Sequence, residues 1–195
     1  MSNDDERNVD PIQEMLRLTQ DFSNLDTWGF KETFRSVKNN ILIYDSQWCR
    51  IKFVWGGWDY LGGNSISIYY GRLHAPNEEV KMIWNGEDCY TWHRFEHALH
   101  FLDGRLPADA AKMNYSTPLI SKYYEEEYNQ KFHRRQPEWL MKMHMEVWEH
   151  YGIKLFKLFD LRQPDLWEQY RGFLKEFYDI KGRISFIKPS MDKVC

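Results

Sequence analysis

Long apolar runs are missing from this chain of 195 residues. No stretch approaches the ~20 consecutive apolar residues that a helix needs to cross a bilayer, so no membrane span is expected. Cysteine is scarce as well. Cys49, Cys89 and Cys195 are odd in number and far apart, and they form neither a CxxC metal pair nor a disulfide framework. Reduced thiols in a cytoplasmic protein are the expectation. Charge of one sign is also lacking. The net charge is −3 and the pI is near 6.2, so no positive field favours nucleic acid or an anionic membrane. The basic cluster Lys131, His133, Arg134 and Arg135 follows the acidic run Glu125-Glu126-Glu127, which reads as a self-neutralising surface. The N-terminus, Met1-Ser-Asn-Asp-Asp-Glu-Arg, is polar and acidic and does not read as a signal peptide. There is no G-x-S-x-G elbow, and the glycines of the 55–63 loop are followed by no Lys-Ser/Thr of a phosphate loop.

Aromatic residues, by contrast, are abundant. They make up 17% of the chain and include nine tryptophans. Rings of this size bury much apolar area per residue, so a heavy aromatic core is expected. Some of the rings are expected to line a ligand or partner surface, where Trp and Tyr concentrate.

Periodicity sorts the chain into an early sheet and later helices. Residues 1–9 read as a disordered acidic tail, 10–185 as one α+β domain and 186–195 as a C-terminal tail. Asp10-Pro11 is an N-cap followed by Pro at the first helical position, opening a helix that ends near Ser23. Trp28, Phe30, Phe34 and Val37 suggest a second short helix with its exit at Asn39-Asn40. Four β-type runs follow over about 41–85: Ile41–Tyr44, Trp48–Trp55, Ser65–Leu73 and Val80–Trp84. The short connections predict an antiparallel meander of about four strands. Helices then occupy about 89–180, starting with one over 89–103 that stops at Asp103-Gly104. Pro137 opens a long helix, interrupted at Gly152, and Pro164 opens the last, which closes at Gly182. The last carries Leu166, Trp167, Tyr170, Phe173, Leu174 and Phe177 on its apolar face. Strands grouped first and helices grouped after predict helices packed on one face of an antiparallel sheet.

The densest chemistry lies in His93-Arg94-Phe95-Glu96-His97-Ala98-Leu99-His100. On one continuous helix, His93, Glu96, His97 and His100 form a stripe. Phe95, Ala98, Leu99 and Leu102 then take the core face. The stripe must face water or a second layer of protein, such as the later helices. Two imidazoles one turn apart can chelate zinc, with a glutamate as general base on bound water. Over about five residues the order His-x-x-Glu-His resembles the zinc motif of the inverzincin peptidases. That resemblance implies His93 and His97 as ligands and Glu96 as the catalytic base, with His100 as a further metal candidate. The family's third, carboxylate ligand is not identifiable, although Glu168 and Glu176 lie downstream, and His100 displaces Phe101 from the family's spacing. A second carboxylate–histidine group, His144, Glu146, Glu149 and His150, has no Glu-x-x-His pair of the kind a bundle-core metal site uses.

The leading expectation is therefore a cytoplasmic binding protein with no cofactor. Its partner would be a protein or a small apolar ligand, and Trp55, Trp58, Tyr60, Tyr69 and Trp84 would supply the contacts. The alternative is a small zinc-dependent hydrolase built on His93, His97 and Glu96.

Overall fold

A computed structural model describes residues 10–22, 24–55, 66–77, 92–112 and 137–186. Helix α1, Pro11–Phe22, begins where the Asp10 carboxylate accepts the Ile12 and Gln13 backbone N–H groups, at 2.9 and 3.4 Å. This is the capping that the Asp-Pro pair predicts. Ile12, Met15, Leu18 and Thr19 are buried, and Arg17 reaches Glu138 at 2.7 Å on a later helix.

The second predicted helix is not formed. Leu25–Trp28 makes one 3-10 turn, ended by Gly29 at φ 75°, and strand β1, Lys31–Ser36, follows. The apolar spacing misled because its members serve different surfaces. Phe30 is fully buried in the main core, and Phe34 packs on the far face of the sheet. Val37 is 70% exposed at the hairpin tip. Asn40 takes φ 51° there, a left-handed conformation that asparagine tolerates.

Strands β2 (Ile41–Asp45), β3 (Arg50–Trp55), β4 (Ile66–Gly71) and β5 (Trp92–His93) continue the sheet. The described residues contain five antiparallel strands in sequential order β1-β2-β3-β4-β5, where the sequence suggested about four. The additions are β1 and β5; the strand expected over Val80–Trp84 lies outside the described residues. β1 carries a bulge between Glu32 and Phe34, a common way to twist an edge strand away from further pairing.

Strand alternation divides the sheet into two faces. Leu42, Ile51, Phe53, Trp55, Ile66, Ile68 and Tyr70 point to the helices. Ile41, Ile43, Tyr69 and Trp92 pack on the opposite face. On that second face Lys52 is fully buried, its Nζ 4.2 Å from the Trp92 ring centroid, while Arg50 pairs with Asp45 at 2.8 Å.

Four helices cover or flank the inner face: α1, α2 (Phe95–Leu102), α4 (Pro137–Leu158) and α5 (Pro164–Phe186). The short α3, Pro107–Lys112, packs on α5. Helix α2 stops as expected: Gly104 is left-handed at φ 68°, and the Arg105 N–H bonds the His100 carbonyl at 3.1 Å. Helix α4 is broken inside by Gly152, at φ 32° and ψ −113°. Asp160 holds the corner between α4 and α5, accepting from both the backbone N–H and the guanidinium of Arg162. Helix α5 buries Trp167, Tyr170, Phe173, Leu174 and Phe177 along one stripe. It runs past Gly182 to Phe186 instead of closing there. The α+β class is that of an antiparallel sheet with one N-terminal helix and a C-terminal helical layer. No described helix is long and apolar enough to cross a membrane.

Candidate functional site

The histidine motif does not form one helical stripe. His93 belongs to β5, paired across from Tyr70 on β4, and Arg94 is extended at φ −75° and ψ 147°. Helix α2 starts only at Phe95. Pairing with β4 draws Trp92 and His93 into the sheet, so the helical spacing from His93 to Glu96 and His97 is lost. Within α2 the expected core face holds: Phe95, Ala98 and Leu99 are buried and Leu102 partly so.

The polar side of α2 faces α5. His97 lies 5.0 Å from the Phe177 ring and 5.3 Å from Tyr178, and His100 lies 6.3 Å from Phe177. His93 sits among Phe159, Trp167 and Tyr170, at ring-centroid distances of 5.4, 5.3 and 5.6 Å. Trp167 and Tyr170 come from α5 and Phe159 from the turn before it. This layer supplies rings rather than a carboxylate. Glu176 is exposed, and Glu168, also exposed, pairs with Arg171 at 3.1 Å. Among the described residues no group of three or more His, Cys, Asp or Glu side chains is placed to hold a metal ion.

The second carboxylate–histidine group is divided by the turn of α4. Glu149 and His150 are exposed, whereas His144 is buried. Inside, Trp148 Nε1–H donates to the Tyr70 hydroxyl at 2.7 Å. The hydroxyl lies 3.3 Å from His144 Nδ1 and is free to donate there. This chain assigns His144 the tautomer protonated at Nε2. Burial holds the His144 pKa down at about 3, so the ring is neutral near pH 7. Burial likewise pushes the Tyr70 hydroxyl well above its usual value, and the Glu96 carboxylate adds in the same direction. The edge of Phe95 packs on the His144 ring at 4.4 Å.

Further polar atoms are withdrawn from water in the same region. They are His93 Nε2, Glu96 Oε2, His100 Nδ1, the Tyr170 hydroxyl and Arg72 Nε. Arg72 continues the alternation of Tyr70 just beyond β4, and its guanidinium lies 5.0 Å above the Trp167 ring. The chain thus gathers two tyrosines, three histidines, a glutamate and an arginine between the β4–β5 edge and helices α2, α4 and α5.

Of these residues, the sequence motif singled out only His93, Glu96 and His100. Tyr70, Arg72 and Tyr170 carry no motif that marks them as site members, and His144 stands out only within the second carboxylate–histidine group. A signal existed for some of them: Tyr70 shares the inward face with Ile66 and Ile68, and His144 and Trp148 are one helical turn apart. Of the five expected aromatic contacts, Trp55 is buried in the main core and Tyr69 on the opposite face of the sheet. These two do not share a surface. Trp58, Tyr60 and Trp84 lie outside the described residues.

Tyr70→Phe keeps the ring stacked on Phe159 at 6.0 Å but removes the hydroxyl that Trp148 and His144 share. A buried donor left unmet costs roughly 1–3 kcal/mol. Chemical denaturation is expected to show that loss with an unchanged m-value.

Comparison with known proteins gives no match: no family model, no curated protein and no solved structure is similar to this chain.

Proposed function

We propose that this is a cytoplasmic binding protein for a small, largely apolar ligand with a polar group. The ligand would be held in the layer of rings and histidines between α2, α4 and α5. One observation carries the reading: His93, His100 and Tyr170 are buried against aromatic rings, and Glu96 Oε2 is withdrawn from water in the same region. Ligand sites share this composition, mostly apolar walls with a few convergent polar groups.

The test is a thermal-shift screen of the full chain against small planar ligands, repeated with Tyr170→Phe. Tyr170→Phe retains the ring contacts with His93 and Phe101 and removes only the hydroxyl. The expected result is saturable stabilisation of the wild type and about fivefold weaker binding by the variant, the worth of one hydrogen bond. A screen without a saturable ligand sinks the proposal. Stoichiometric zinc in protein purified without chelators would instead favour the hydrolase built on His93, His97 and Glu96.

A further inference from the structure

Arginines around this interior differ in their partners. Arg162 grips Asp160 at 2.7 Å, and Arg171 holds Glu168 at 3.1 Å. These are the two carboxylates whose charge reaches Arg72, and each already has its own arginine. Arg72 has no hydrogen bond and no ion pair among the described residues; what it touches is the face of Trp167. Its Nε is buried without an acceptor, while the side chain as a whole is only partly buried. The guanidinium fork is therefore held by a ring, stripped of water at one nitrogen and bonded to no anion among the described residues.

That combination is unfavourable for stability alone. A charged group gains from burial only when it is hydrogen-bonded or paired. Burial depresses the Arg72 pKa, outweighing the opposing pull of the Glu168 and Asp160 charges. The stacking on Trp167 contributes only modestly. Trp167 is also the ring that touches His93 and Tyr170, at 5.3 and 5.8 Å, so the fork stands at the edge of the polar interior already described.

Resting on the ligand-binding reading, we propose that Arg72 is the anion-recognition residue of this site and takes the carboxylate of a small planar ligand. A carboxylate matches the planar guanidinium with two parallel N–H···O bonds. The flat body of such a ligand would lie against the Trp167 ring that carries the guanidinium.

The experiment titrates full-length protein with benzoate, with neutral benzamide and with inorganic phosphate, and reads calorimetric affinity and melting temperature. Arg72→Met keeps an apolar stem on Trp167 without the charge, and Arg72→Lys keeps the charge without the fork. Benzoate is expected to bind saturably, with benzamide at least tenfold weaker. Both variants are expected to weaken benzoate at least tenfold. Ligand-free Arg72→Met is expected to melt no lower than the wild type, because the desolvated Nε has been removed while the stem on Trp167 is kept. Equal benzoate binding by wild type and Arg72→Met overturns the proposal, as does phosphate bound in preference to benzoate. A melting temperature several degrees lower for ligand-free Arg72→Met overturns it too, by showing a structural role. Benzamide binding that ignores Arg72 removes this inference and leaves the ligand-binding reading standing. Absence of any binding, across these probes and the wider apolar panel, removes both.

Discussion

Acidification from pH 6.5 towards 3 is expected to destabilise this protein steeply, and replacing His144 is expected to remove a defined part of that slope. The His144 ring is fully buried and its pKa is held down at about 3, against 6.5 in an unfolded chain. Below pH 6.5 the unfolded state takes up a proton that the folded state refuses. The unfolded state then binds more protons, so stability falls as pH falls. The contribution is intact above pH 6.5 and is lost progressively down to the folded pKa. The slope approaches about 1.4 kcal/mol per pH unit, and the accumulated loss approaches about 5 kcal/mol near pH 3. That is a large share of a typical domain stability of roughly 5–15 kcal/mol. His144→Gln retains an amide for the Tyr70 hydroxyl and does not titrate. Urea unfolding at half-unit pH steps is expected to show the variant losing less stability than the wild type between pH 6.5 and 4. Parallel curves would show that His144 is not the buried group responsible.

Gly152→Ala is expected to be the most damaging single-methyl change in the described structure. Gly152 breaks α4 at φ 32° and ψ −113°, where any side chain is strained. A Cβ built there would lie 2.8 Å from Cη2 of Trp28. Trp28 packs edge-on against Phe156 at 5.6 Å and Gly152 is itself buried, so relief of the clash requires the half-buried indole to shift off Phe156. Backbone strain costs about 1–3 kcal/mol and overpacking a similar amount. The sum, about 4 kcal/mol, corresponds to a melting temperature lower by roughly 8–16 °C for a chain of this size. Trp28→Leu separates the two causes. In the double variant the clash is relieved and the strain persists, so the coupling energy is expected to be favourable by about 1–3 kcal/mol. Full additivity would show that the ring moves aside at no cost.

Both predictions concern places where sequence and structure contributed differently. The break at Gly152 was visible as a glycine inside a helical pattern, but its partner Trp28, more than a hundred residues earlier in the chain, was not. His144 was visible as a histidine on a helix beside Glu146, Glu149 and His150. Its burial against Tyr70 and Phe95 was not, because helix phase alone does not say which neighbours close over a face. The motif at 93–100 is the sharpest case. Its spacing was read as one helix because His, Glu and His recur every three or four residues. The β4–β5 ladder overrode that local pattern by pairing His93 with Tyr70, and a two-residue strand leaves almost no alternation to detect. The 25–37 segment erred in the same way. Its apolar residues fell at helical intervals while belonging to two different faces of the sheet.

What the amino-acid sequence determined by itself was the order and type of the strongly periodic segments. Alternation placed Ile51 and Phe53 on one side of β3, and Ile66, Ile68 and Tyr70 on one side of β4. The proline and capping signals placed the starts of α1, α4 and α5, and the 3.6-residue period placed the buried stripe of α5. These are local properties, encoded within a few residues of where they act. Only the tertiary structure decided which faces meet. It set the histidines of α2 and β5 against the rings of α5, drew Tyr70, His144 and Trp148 into one hydrogen-bonded chain, and stacked Arg72 on Trp167 with no anion bonded to it among the described residues. Those contacts join segments up to about a hundred residues apart. Their physical origin is the burial of whole faces, which no short spacing records.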